Sequence, residues 1–283
     1  MSWGAESSIT AANMEKELNA IVSHRVEVAS GLIILRIIPD GWELPQWESG
    51  QFAVLGLPES APRTLRADAE EKPLSSNKII QRAYSIASSP TEAGYLEFYI
   101  TLVQSGALTP RLFALQPGER VFLNKKITGM FTLDNVPDNK HLILIATGTG
   151  LAPYMSMLRS GLDCRRDHHT IVLLGARHSW DLGYRGELIA MARYCPTFHY
   201  IPVISRPQEE ILNWGGKVGY IQNLWEAGLV HEILGTDPTP ENTEMLLCGN
   251  PGMIEEMLER LNSVGFVKHT KKQAGQLHVE KYW

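Results

Sequence analysis

The chain changes its punctuation near the middle, and that change restricts its fold more than any other feature. From about Leu18 to Asp134, short β-type segments follow one another: Val22 to Val28, Gly31 to Ile37, Gln51 to Leu57, Arg82 to Ala87, Leu96 to Val103 and Arg120 to Asn124. Pro39-Asp40-Gly41 and Gln116-Pro117-Gly118-Glu119 supply turns between them, a rhythm that predicts an antiparallel barrel. After Val136-Pro137-Asp138 the repeating unit becomes apolar strand, glycine turn, helix. It runs through Leu142 to Ala146 and Tyr154 to Arg159, then Thr170 to Leu174 and Arg185 to Tyr194. Phe198 to Ile204, a helix over Ile221 to Ala227, Met245 to Cys248 and a helix over Met253 to Leu261 continue it. Such alternation predicts a parallel sheet with helices on both faces. The length of 283 residues accommodates both, so we expect a mobile tail over 1–16, a barrel domain over 17–136 and an α/β domain over 137–283. Pro58 to Ile80 interrupts the barrel rhythm as a long charged connection, expected to be a surface loop or a small helical excursion.

Charge and cysteine usage narrow the function classes. A net charge of −5 gives no global attraction to nucleic acid or an anionic membrane. The longest apolar runs, such as Leu142 to Ala146, are strand-sized and predict no membrane span. The first residues lack the basic start and apolar core of a secretory signal. Cys164, Cys195 and Cys248 form no C-x-x-C, which excludes a thioredoxin-type dithiol, a four-cysteine iron–sulfur cluster and a Cys-rich zinc module. The sparse, odd count fits a reducing cytoplasm.

Three segments carry chemistry. Arg82-Ala83-Tyr84-Ser85 sets a cation and an aromatic plane on one face of a strand and a hydroxyl on the other. A flavin needs such groups for its pyrophosphate, its ring and its ring edge, although an edge strand with a solvated Arg and a core Tyr would read the same way. Gly148-Thr149-Gly150-Leu151-Ala152-Pro153 follows an apolar strand and opens a helix, the setting of a dinucleotide turn, or of a simple chain reversal. The third, Met245 to Met253, ends a strand on Cys248-Gly249-Asn250, where ligands of such sheets bind; Cys248 borders a nicotinamide there or serves as a small core residue.

Together with the ending Val279-Glu280-Lys281-Tyr282-Trp283, these segments resemble the bacterial ferredoxin/flavodoxin–NADP reductases from about Leu18 onward. The resemblance implies an FAD-binding Greek-key barrel followed by an NADP-binding α/β domain. It implies hydride transfer between NADP(H) and FAD and single-electron transfer between FAD and a ferredoxin or flavodoxin, with no metal required. Arg82, Ala83, Tyr84, Ser85, Tyr99, Ile100, Thr101, Ala107, Leu108, Thr109, Thr149, Tyr282 and Trp283 match FAD-contacting positions. Gly148, Gly150, Cys248, Gly249 and Asn250 match the pyridine-nucleotide turns, and Ala176, Arg177, Ser205, Arg206 and Lys217 match the positions that hold the adenosine 2′-phosphate. Lys217 stands where relatives commonly have Arg. Tyr84, Ser85, Cys248 and Glu280 surround the reacting rings in this reading, and Arg111, Lys125, Lys126, Lys271, Lys272 and Lys281 are candidates for a basic rim facing an acidic acceptor. Alternatives are the reductase component of an oxygenase and a flavin-binding regulatory module without turnover.

Overall fold

The structure, a computed structural model, describes residues 18–70, 78–92, 94–165 and 167–281. The chain divides into two units, Met1–Met130 and Phe131–Trp283. In the first unit, β1 (Ala20–Ala29), β2 (Leu32–Pro39), β3 (Phe52–Pro58), β4 (Ile79–Ser85), β5 (Leu96–Thr101) and β6 (Arg120–Leu123) pair in the order β4-β3-β6-β1-β2-β5, every neighbour antiparallel. Just past β4, Ile86 bridges to Phe98 of β5, and the Ala87 N–H donates to the Glu97 carbonyl at 2.8 Å. These contacts join the two edge strands, so the sheet closes into a barrel and loses its free edges. Alternate side chains fill it: Val22, Ile33, Leu35, Ile37, Leu55, Phe98 and Val121 are fully buried.

A helix the sequence did not predict, α1 (Thr109–Ala114), follows β5. Pro110 in its first turn suits a helix start, but six residues are too few to display a helical period. The Pro58 to Ile80 connection is not slack, and its described part contains no helix. Arg63 donates to the Glu70 carboxylate at 2.8 Å and to the carbonyls of Asp68, Gln104 and Gly106 at 3.0–3.2 Å. Arg111, 2% exposed, donates to both Glu70 oxygens at 2.9 and 3.1 Å and to the carbonyls of Glu59 and Ala107. Arg111 is therefore a buried anchor and not part of a basic rim.

In the second unit, β7 (His141–Thr147), α2 (Ala152–Gly161), β8 (Thr170–Ala176), α3 (Arg185–Tyr194) and β9 (Phe198–Ile204) alternate as expected. They are followed by β10 (Lys217–Val218), α4 (Ile221–Glu226), α5 (Leu229–Leu234), β11 (Thr243–Gly249), α6 (Pro251–Ser263) and β12 (Leu277–Lys281). The all-parallel sheet has the order β10-β9-β8-β7-β11-β12. Strand β11 is buried along its whole length, which is why it reads as a nearly continuous apolar run. The chain steps from β7 outward to β10 and then returns to β11 on the other side of β7, so the topological switch lies between β7 and β11. Cys164 and Cys195 form a disulfide with their Cα atoms 5.0 Å apart, a pairing at odds with the reducing compartment that the sparse, odd cysteine count suggests. One follows α2 and the other α3; successive βαβ crossovers bring those helix ends to the same end of the sheet, a proximity that no local spacing announces.

Candidate functional site

Ligands of open parallel sheets sit beyond the carboxyl ends of the strands at the switch point. Here that place is made of two glycine turns in backbone contact. Gly148, with φ +54°, has open space where a side chain would stand. A Cβ on Gly150 would meet the Cys248 carbonyl and stand 2.9 Å from the Gly249 nitrogen, and Gly249, with φ +128°, lies against Thr147. The Thr147 hydroxyl accepts the Asn250 N–H at 2.7 Å, tying the end of β7 to the end of β11. The Asn250 side-chain oxygen accepts from the N–H groups of Gly252 and Met253 at 2.8 and 3.2 Å, so it caps α6.

Cys248 and Glu280 stand opposite each other on β11 and β12, with the thiol sulfur 3.9 Å from the carboxylate. Cys248 is fully buried. The buried Tyr154 hydroxyl donates to the Ile145 carbonyl at 3.0 Å; burial first, then Cys248 and Glu280, push its phenol pKa up. Thr149 is buried beside this group in the turn after β7.

The ends of β8 and β9 hold the cations. The Ser205 N–H donates to the Ala176 carbonyl and the Arg206 N–H to the Arg177 carbonyl, each at 3.0 Å, so the ladder continues past the strands and keeps Arg177 and Arg206 adjacent. Lys217, exposed on β10, pairs in register with Val203. Arg206 lies 3.4 Å from Glu209, whose other oxygen is 2.8 Å from His178; the second nitrogen of His178 is 3.0 Å from Asp181. Burial pulls the His178 pKa down, but the two carboxylates outweigh it and the net direction is up. His178, chiefly, and Arg206 hold the Glu209 carboxyl below its ordinary range. The sequence reading missed both residues, although His178 directly follows Arg177 and Glu209 lies one turn after Arg206.

In the first unit, Arg82 is exposed on β4, Tyr84 is half-buried and Ser85 is buried. The Arg82 guanidinium donates to the Gln81 carbonyl at 2.7 Å, and burial of Tyr84 pushes its phenol pKa up against the opposing pull of Arg82. On the neighbouring β5, Tyr99 and Thr101 share one face, while Ile100 packs in the barrel core. Leu108 also belongs to the core; the Thr109 hydroxyl bonds both backbone groups of Val103, and the Ala107 carbonyl accepts from Arg111. The Ala107-Leu108-Thr109 turn thus offers a phosphate mainly backbone groups. The exposed Arg82 beside Tyr84 fits a flavin nucleotide, and exposed Arg177, Arg206 and Lys217 fit a phosphate dianion. Tyr282 and Trp283 lie outside the described residues.

Comparisons with known proteins agree with this layout. Residues 54–128 match the oxidoreductase FAD-binding domain family and residues 144–259 the oxidoreductase NAD-binding domain family. The flavodoxin/ferredoxin–NADP reductase of Shigella flexneri is 33% identical over 83% of this chain and 87% of its own length. The ferredoxin–NADP reductase of Azotobacter vinelandii is 31% identical over 78% of this chain and 80% of its own. A crystal structure of a Neisseria gonorrhoeae ferredoxin NADP+ reductase with bound FAD and NADP superimposes with a TM-score of 0.76 at 26% identity, covering 94% of this chain and 98% of that one.

Proposed function

The chain belongs to the flavodoxin/ferredoxin–NADP reductase family, and from that premise we propose how its residues divide the work. It is an oxidoreductase with an FAD-binding and an NADP(H)-binding half. FAD, when bound, takes part in hydride exchange with NADP(H) and in single-electron exchange with a protein partner. The protein's own task is to hold both nucleotides and tune their surroundings.

We assign flavin binding to residues 17–136, with Arg82 against the pyrophosphate, Tyr84 against the ring, and Ser85, Tyr99 and Thr101 at its borders. Nucleotide binding belongs to residues 137–283: Gly148, Gly150 and Gly249 let backbone approach the ligand, and Arg177, Arg206 and Lys217 bind the 2′-phosphate. Cys248 and Glu280 shape the nicotinamide pocket, with the Glu280 carboxylate 3.9 Å from the thiol. The carrying observation is the pair of glycine turns stapled by Thr147 at the switch point. The partner we propose is a ferredoxin or flavodoxin, with exposed Lys125, Lys126, Lys271 and Lys272 as candidate docking cations; Lys281 is already paired with Glu255 at 2.8 Å. Among the described residues no helix is long and apolar enough to cross a membrane. We place the protein in the cytoplasm because that compartment supplies NADPH, and there the Cys164–Cys195 disulfide must persist against reduction.

Absorbance of the purified protein, with a steady-state assay of NADPH oxidation by ferricyanide and by oxidised flavodoxin, tests this reading. Flavin bands and turnover that prefers NADPH to NADH are expected. Colourless protein that takes up no added FAD would refute it.

A further inference from the structure

The second unit contains an open cleft of about 800 Å³, of whose lining the assignments above use Lys217 alone. Tyr200, Ile201 and Pro202 of β9 line it, together with Ser179, Arg185 at the start of α3, and the stretch from Glu210 to Lys217 that carries Trp214. Its lining carboxylate, Glu210, is engaged by the Ser179 N–H and hydroxyl at 2.7 and 2.6 Å. Arg185 and Lys217 are left as the cations of the cleft.

Arg185 is held there by unusual local structure. Tyr184, immediately before it, has φ 57° and ψ 11°, the one non-glycine residue with positive φ among the described residues. Such a conformation persists where surrounding contacts over-determine it. Arg159 supplies them: its guanidinium lies 5.1 Å over the Tyr184 ring and donates twice to the Glu187 carboxylate, each bond 2.7 Å. The Arg185 guanidinium then stacks 4.9 Å from the Trp214 ring centre. Trp214 is itself fixed, because its indole N–H donates to the Lys217 carbonyl at 2.8 Å and its ring packs on Gly216. The cation therefore enters the cleft pre-oriented, on the segment that also carries Lys217.

We propose that Arg185 is a specificity-determining residue for the adenosine 2′-phosphate of NADP(H). It supplies a guanidinium fork to the cleft that Lys217, a point charge, also lines. A fork binds a phosphate bidentately and an ammonium does not, so a site built with Lys217 gains planar recognition from a second residue. The inference rests on NADP(H) as the nucleotide.

Isothermal titration of the full chain with 2′,5′-ADP and with 5′-AMP, which differ only by the 2′-phosphate, tests it. Wild type should prefer 2′,5′-ADP. Arg185→Ala should weaken 2′,5′-ADP about ten- to hundredfold and 5′-AMP less than threefold, and Arg185→Lys should recover only part of the loss. Arg185→Lys also serves where the alanine variant fails to fold, as judged by circular dichroism. Selective wild type with unchanged 2′,5′-ADP affinity in both variants would overturn the role of Arg185 and leave the NADP(H) reading intact. Equal losses for the two ligands would overturn it as well, placing the cation on shared parts of the nucleotide. Wild type without preference would overturn the NADP(H) reading and this inference together.

Discussion

Glu209 lies 3.4 Å from one nitrogen of Arg206, so its carboxylate competes with a 2′-phosphate for the charge of the guanidinium. Glu209→Gln keeps the shape and removes the charge. We expect it to tighten 2′,5′-ADP by about two- to fivefold, the scale of an exposed ion pair, and to leave 5′-AMP unchanged. Calorimetric titration at low ionic strength checks this; unchanged or weakened 2′,5′-ADP binding would show that Glu209 orders the loop instead of competing with the ligand. Arg206→Ala should raise the KM for NADPH far more than that for NADH, since only NADPH carries the phosphate. Gly150 poses a different problem, because a methyl group there meets the Cys248 backbone. Gly150→Ala must push the two turns apart, with a loss of stability of about 1–3 kcal/mol and of nucleotide binding. Urea titration with 2′,5′-ADP binding tests both effects, and a fully stable variant would mean that the turns are more loosely joined than their contacts indicate.

The elements are coupled by side chains that lie outside them. The Pro58 to Ile80 connection braces the turn before α1, because Arg63 and Arg111 bind the Gly106 and Ala107 carbonyls while both hold Glu70. Removing one partner from a buried pair leaves the other charge uncompensated. Glu70→Ala should therefore cost about 2–4 kcal/mol and loosen FAD through the Ala107-Leu108-Thr109 turn. Chemical denaturation and FAD titration of the apoprotein measure the two losses, and a destabilised variant with normal FAD affinity would separate the brace from the flavin site. In the second unit, the Cys164–Cys195 disulfide ties α2 to α3 across a sequence separation of 31. A loop of that length contributes about 3–4 kcal/mol by the chain-entropy account, so Cys195→Ser or a strong reductant should lower this unit's melting temperature by roughly 10 °C. A melting curve indifferent to both treatments would mean that the bond does not form in solution.

Across the whole molecule, what was legible in the sequence depended on how locally each feature is specified. Strands such as Leu142 to Ala146 and helices such as Arg185 to Tyr194 announce themselves because burial imposes a period over enough residues. β10, α1, α5 and β12 were missed because two to six residues show no period and are held by tertiary pairing. Arg177, Arg206 and Lys217 are singled out only by the family resemblance, whereas Glu209, His178, Arg185 and Trp214 are gathered by tertiary structure and carry no motif. The same holds for the histidines at the amino ends of the parallel strands. The His169 N–H donates to His141 at 3.0 Å, the His169 and His199 rings approach to 2.7 Å between nitrogens, and the His168 ring centre lies 5.6 Å from that of His141, tilted by 56°. Burial, and then the neighbouring histidines, hold His141 and His199 below the ordinary histidine range. Their neutral forms are the stable ones when folded, so the unfolded chain binds more protons. Their contribution is present above the unfolded pKa of about 6.5 and is lost as pH falls below it. His178 works in the opposite sense, since its raised pKa contributes below about 6.5 and fades as pH rises through the folded value. Carboxylates held low, such as Glu70 and Glu209, begin to lose their contribution only near pH 4.5 and below. The interval from pH 7 to about 5 therefore isolates the histidines. His141 and His199 lower the melting temperature across it while His178 raises it, so the test is the difference between wild type and His199→Asn, which removes one of the lowered rings and should lose less stability on acidification. An unchanged slope in His199→Asn would mean that His199 accepts its proton without cost to the sheet.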